Sequence, residues 1–125
     1  MIKGIHHISL RANGPLAFEK AIAFYTELLA CRPLRRWGEQ RGIMLDAGNC
    51  LLEILSTGPE SDQDGHWQHL AFAVEDVEAM TEKIRHAGYE ITKEVKRLTL
   101  GEDYPICISF CRGPLGEEIE FFKEL

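Results

Sequence analysis

Apolar and polar residues alternate through Ile5-His6-His7-Ile8-Ser9-Leu10-Arg11, which predicts a strand over about 5–11. Asn13-Gly14-Pro15 breaks the alternation, and Pro15 suits the first position of a helix. The period then changes. Phe18, Ile22, Tyr25 and Leu29 recur at three- and four-residue spacing, predicting one apolar stripe on a helix that runs to about Cys31 and is ended by Pro33. Strands are expected near 33–39, 42–47 and 50–56, with turns at Gly38 and Gly48-Asn49. Residues 57–66 are polar and turn-rich and read as a linker. The order then recurs. A strand is expected over about 67–74. Asp76 is placed to cap a helix whose stripe is Val77, Met80, Ile84 and Ala87, with Gly88 as its stop. Strands near 90–97, 106–112 and 117–123 follow, and Arg112-Gly113-Pro114-Leu115-Gly116 forms the last turn.

The pattern is βαβββ written twice, an α+β fold of two tandem modules with helices on the outer face of a mixed sheet. One domain is expected over 1–125, with module one at about 1–56, the linker at 57–66 and module two at about 67–125. Each half alone would be a small sheet with one helix, so the halves should pack together or pair with another chain.

Composition narrows the class. Hydrophobic content of 45% and charged content of 27% describe an ordinary globule, and no apolar run approaches the roughly 20 residues of a membrane span. Met1-Ile2-Lys3-Gly4-Ile5 lacks the build of a signal peptide, so a cytoplasmic protein is expected. A net charge of −6 disfavours nucleic acid, and Arg32, Arg35, Arg36 and Arg41 are scattered rather than striped. Cys31, Cys50, Cys107 and Cys111 have neither zinc-ribbon nor CxxC spacing and read as reduced thiols packed as small apolar residues.

The repeat also carries chemistry. Each half has a His on its opening strand, His7 and His69, and a Glu on its closing strand, Glu53 and Glu120. Side chains alternate across a strand, so Ile8 and Leu10 should lie under the helix and His7, Ser9 and Arg11 on the other side. In the second half Leu70, Phe72 and Val74 oppose His69, Ala71 and Ala73, while Ile119 and Phe121 oppose Glu120. Glu53 stands in the apolar run Leu51-Leu52-Glu53-Ile54-Leu55, and a buried carboxylate needs a cation or a donor. His7, Glu53, His69 and Glu120 are therefore a candidate metal-ligand set. A lone strand histidine is usually just a hydrogen-bonded one. His6 has the wrong parity and reads as structural, and His66 and His86 read as solvated. Glu117 and Glu118 read as rim charges, and Trp37 and Trp67 as core or pocket wall.

These motifs, with Ala23-Phe24-Tyr25-Thr26-Glu27-Leu28-Leu29, His69-Leu70-Ala71-Phe72-Ala73-Val74-Glu75-Asp76-Val77 and Gly113-Pro114-Leu115-Gly116, resemble the vicinal oxygen chelate superfamily. Within it the closest type is the glyoxalase I and bleomycin-resistance domain. The resemblance covers nearly the whole chain. It implies paired βαβββ modules forming a cup around one divalent ion (Ni, Zn, Mn or Co, with iron suited less), with ligands at His7, Glu53, His69 and Glu120. It further implies a lyase or isomerase of the lactoylglutathione-lyase type. The metal would act as a Lewis acid on two vicinal oxygens and stabilise an enediolate as a proton leaves the adjacent carbon. A metal-bound carboxylate fits the base, assigned by family likeness to Glu120 with Glu53 as a possible partner. Arg11 stands where glyoxalase I has an arginine for a glutathione carboxylate, but Thr57 stands where an asparagine is usual. The thiol is therefore left open, and Asp46, Tyr104 and Trp37 are candidate pocket residues. The resemblance also implies a homodimer acting on a small molecule, such as a 2-oxoaldehyde–thiol adduct or a related vicinal-oxygen compound. Two alternatives share the fold: an extradiol-type ring-cleavage dioxygenase using two His and one carboxylate, and a non-enzymatic drug-binding resistance protein. Thiol transfer to an epoxide is a further relative.

Overall fold

The computed structural model describes residues 1–61 and 64–125. The expected linker falls partly on residues 62 and 63, which lie outside the described residues. The fold is α+β and built from two βαβββ modules. The chain divides into two compact units, one of residues 7–68 and the other of residues 1–6 with 69–125.

In the unit of residues 7–68, the strands are β1 (Ile2–Ala12, of which 7–12 lie here), β2 (Arg32–Trp37), β3 (Gly42–Asp46) and β4 (Leu51–Ser56), in the order β2-β3-β4-β1. β1 and β4 run parallel and the other pairs antiparallel. The helix α1 (Pro15–Ala23) begins at Pro15, where a missing N–H costs nothing. Its buried Phe18, with Ala21 and Ile22, packs among Ala12, Ile43, Leu45, Leu52 and Ile54, joined by Leu10 and Tyr25. The expected stripe fails at its end. After Ala23 the chain widens into a π-helical turn over Phe24–Leu28, in which Leu29 N–H donates to Phe24 C=O at 3.3 Å. The extra residue per turn rotates the rest of the segment and leaves Leu29 exposed rather than beneath the helix. Ala30, at a φ of 58°, ends the segment.

Two residues considered for a pocket serve the β2–β3 side of this unit. Trp37 lies against Gly42, where a Cβ would sit 2.2 Å from the indole ring, so only glycine fits. Asp46 accepts from the Gly48 N–H at 2.8 Å and from Arg32 at 3.0 Å, and these bonds hold its carboxyl below the usual range.

The second unit orders its strands β5 (His66–Val74, of which 69–74 lie here), β8 (Glu118–Glu124), β7 (Tyr104–Arg112) and β6 (Ile91–Leu100) as β5-β8-β7-β6. β5 and β8 are parallel, and β8-β7-β6 antiparallel. The helix α2 (Val77–His86) is capped as expected, Asp76 Oδ1 accepting from the Ala79 N–H at 2.9 Å. Gly88 follows it at a φ of 91°. The core beneath α2 is Val74, Val77, Cys107, Cys111 and Phe121 with Phe72, Met80, Ile84 and Ile119. One polar pair is sealed there: Thr81 Oγ1 and Ser109 Oγ are 2.7 Å apart, and Thr81 also donates to the Val77 carbonyl at 2.6 Å. Among the described residues, no helix is long and apolar enough to cross a membrane.

Truncation should separate core from cap. Phe18→Ala, emptying the centre of the first core, is expected to cost about 3–5 kcal/mol. Asp76→Ala is expected to cost about 1 kcal/mol. Urea titration with unchanged slope checks both, and equal losses would contradict this ranking.

Candidate metal centre

The parallel register of β1 and β4 sets Ser9 directly across from Glu53. Leu10, Ala12, Leu52 and Ile54 of these strands enter the core under α1. Alternation therefore sends His7, Ser9 and Glu53 to the opposite face. All three are buried, Glu53 with 5% of its surface exposed. His7 Nε2 lies 3.7 Å from Glu53 Oε1, and Ser9 Oγ donates to that same oxygen at 2.9 Å.

The second unit repeats the construction. Ala71 faces Glu120 across β5 and β8, while Phe72, Val74, Ile119 and Phe121 point into the core under α2. His69 Nε2 lies 2.8 Å from Glu120 Oε2, and both side chains are 5% exposed. The Phe110 ring meets the His69 ring edge to face, with centroids 5.1 Å apart. The structure thus brings His7 to Glu53 and His69 to Glu120, on the faces that strand parity predicts.

These pairs suit a divalent ion. A carboxylate at this burial costs several kcal/mol unless a cation sits beside it. A protonated imidazole or a metal can supply that charge. Imidazole nitrogen with carboxylate oxygen is the donor set that borderline divalent ions take.

The other candidates sort clearly. Arg11 Nη1 donates to Thr57 Oγ1 at 2.9 Å, so the position that speaks for glutathione and the one that speaks against it are in contact. His6 is structural: its Nε2 is 3.3 Å from Glu124 Oε1, and its ring is centred 4.1 Å from that of Phe122. Tyr104 donates to the same Glu124 oxygen at 2.5 Å. His86 is exposed and bonds the Glu82 carbonyl. His66 opens β5 instead of lying in the linker, and with exposed Trp67 it lines a cleft of about 270 Å³ beside α1. Trp67 is therefore pocket wall and not core. Glu117 is more than a rim charge, since it accepts from the Leu115 N–H at 2.8 Å and shapes the β7–β8 turn. Sequence reasoning placed Ser9 on the correct face but gave it no role. The signal was a hydroxyl two residues after the ligand candidate His7, on the same side of the strand.

All four cysteines are free. Cys107 and Cys111 lie under α2, on the face away from Glu120, and burial pushes both thiols up.

The chain belongs to the glyoxalase/bleomycin resistance protein/dioxygenase superfamily, whose family model matches residues 4–121. No curated protein matches it by sequence. Among solved structures it is similar to methylmalonyl-CoA epimerase from Mycobacterium tuberculosis, at 17% identity and a TM-score of 0.73 over 99% of this chain and 89% of that one. It is similar to a single-substitution variant of the Streptomyces coelicolor methylmalonyl-CoA epimerase in complex with 2-nitronate-propionyl-CoA, at 20% identity and 0.73 over 98% of each chain. The Mn(II)-bound glyoxalase of Novosphingobium aromaticivorans matches at 20% identity and 0.71, over 97% of this chain and 38% of that one. At these identities the likeness establishes the fold.

Thiol reactivity checks the cysteine assignment. With iodoacetamide at pH 8, Cys31 and Cys50 should label first, while Cys107 and Cys111, held protonated and buried, label only on unfolding. Mass spectrometry of the peptides reads the order, and early labelling of Cys111 would contradict it.

Proposed function

We propose that the chain is a metal-dependent isomerase or lyase that moves a proton on the carbon next to a carbonyl. His7, Glu53, His69 and Glu120 are its ligands for one divalent ion, of the Ni, Zn, Mn or Co type. The observation that carries this is the repeated contact of a strand histidine with a buried glutamate, 3.7 Å in one module and 2.8 Å in the other. Two such pairs supply two imidazoles and two carboxylates. When bound, the ion supplies Lewis acidity toward two neighbouring substrate oxygens.

The chain's own residues do the rest. Glu120 is the base: its carboxylate takes the proton from the carbon and, in the glyoxalase-type reaction, delivers it to the neighbouring carbon, whereas epimerisation at a single carbon needs Glu53 as its partner on the opposite face. Glu53 shares the ligand shell. Burial of both carboxylates keeps water from competing for that proton. Arg11 is the residue for a substrate carboxylate. Thr57 takes one N–H of its guanidinium, and its buried Nε meets no hydrogen-bond partner among the described residues.

The substrate class that fits is a small vicinal-oxygen compound. One candidate is a 2-oxoaldehyde–thiol adduct, as for a glyoxalase. Another is a branched acyl thioester of the kind that the Streptomyces epimerase carries. The proposal includes a homodimer acting in the cytoplasm, where the free thiols stay reduced.

Metal analysis and activity test the reading together. Protein purified without chelator should hold about one divalent ion per site. It should act on methylglyoxal with a thiol, or epimerise a methylmalonyl thioester in D2O with deuterium uptake. Glu120→Gln should lower kcat by roughly 10²–10⁴ and keep the metal. Absence of a tight divalent ion would sink the proposal. Oxygen uptake with a catechol would move it to the dioxygenases, and ligand binding unchanged by chelator would move it to the drug-binding proteins.

A further inference from the structure

The two modules place the same pieces in the same register, with one difference. Across β1 and β4 the residue facing Glu53 is Ser9, and across β5 and β8 the residue facing Glu120 is Ala71. Each stands two positions after its histidine. Ser9 is fully buried, and its hydroxyl donates to Glu53 Oε1 at 2.9 Å. The other strand neighbour of Glu53 is Met44, which offers no donor N–H or O–H from its side chain. Glu120 lies between Ala71 and Phe110, neither with a side-chain donor.

We infer that Ser9 is a positioning residue that fixes the Glu53 carboxylate for metal ligation, a device with no counterpart at Ala71. This rests on the metal-site reading above and adds to it a division of labour between the two glutamates. A glutamate has three side-chain torsions to immobilise before it can ligate. The Ser9 hydroxyl is one bond beyond Cβ on a paired strand, so its position is set by the sheet. Its bond to Oε1, the oxygen 3.7 Å from His7 Nε2, sets the turn of the carboxylate toward that imidazole. Partners that hold a ligand from behind change metal affinity nearly as strongly as the ligand itself. At Glu120 the strand neighbours are apolar, so the paired strands supply no such hydroxyl, and the contact there is His69 Nε2 at 2.8 Å.

The test uses the whole protein, stripped by chelator and titrated with Mn(II), read by calorimetry and by the electron paramagnetic resonance of the bound ion. Ser9→Ala should weaken Mn(II) roughly ten- to hundredfold and broaden the bound signal, and Ser9→Thr, which keeps the hydroxyl, should restore most of both. In a Glu53→Ala background, Ser9→Ala should cost nothing more, because its effect runs through that carboxylate. The melting temperature of each metal-free variant reports folding separately. A wild-type chain that binds Mn(II), with Ser9→Ala binding as tightly, overturns the role of Ser9 and leaves the metal site standing. So does an undiminished Ser9→Ala loss in the Glu53→Ala background, a design that also decides the matter if Ser9→Ala alone lowers the melting temperature. A wild-type chain that binds no Mn(II), Zn(II), Ni(II) or Co(II) overturns the metal reading itself.

Discussion

A carboxylate cannot be held out of water on an apolar strand without a cation or donor beside it, and two strands of this chain do hold one. Glu53 sits between Leu52 and Ile54, and Glu120 between Ile119 and Phe121, all four apolar neighbours packed in helix-covered cores. The cost of several kcal/mol for each buried charge makes the surrounding residues answerable to it. In each module an imidazole answers, and in the first a hydroxyl does too. The helices, turns and outer strands can vary so long as they keep that face closed.

The partner reaches its glutamate by simple geometry. Parallel pairing sets the residue two after the histidine opposite the glutamate: Ser9 opposite Glu53 and Ala71 opposite Glu120. Residues two apart on a strand share a face, so the histidine becomes the glutamate's diagonal neighbour, within reach of a long side chain. A slip of one residue would carry the histidine into the helix-covered core and the carboxylate away from it. The apolar residues under α1 and α2 resist that slip, so the packing on one face guards the chemistry on the other.

The parts of the structure legible in sequence were those governed by this two-residue period. The succession of elements along the chain, the strand faces and the shared side of each His and Glu follow from which positions are apolar, and Asp76, Pro15 and Gly88 announce the helix ends through their own backbone chemistry. The failures have a different origin. The stripe to Leu29 assumed an unbroken α-helical period, but the π-helical turn at Phe24–Leu28 depends on hydrogen bonds that residue type does not reveal. The polar neighbours of His66 read as linker, whereas β5 begins at this residue, and where a strand begins is decided by nonlocal pairing. Sequence alone leaves Tyr104 a pocket candidate, because its contacts with Glu124 and His6, 20 and 98 positions away, leave no local trace.

Duplication explains the scaffold and also limits it. Two like modules give two like His–Glu pairs, so any difference between the two carboxylates has to come from their neighbours. The copies differ at the positions next to the chemistry. Ser9 corresponds to Ala71, Arg11 to Ala73, and the strand neighbour Met44 to Phe110. In each module the shared face is set by the apolar residues beneath it, so these substitutions change the setting of the glutamate without disturbing the register. A hydroxyl and a guanidinium in the first copy, against methyl groups and a ring in the second, are the kind of difference by which a repeated fold acquires a directional site. That divergence, and not the repeated His–Glu pairs, is where selection for a particular substrate would be written.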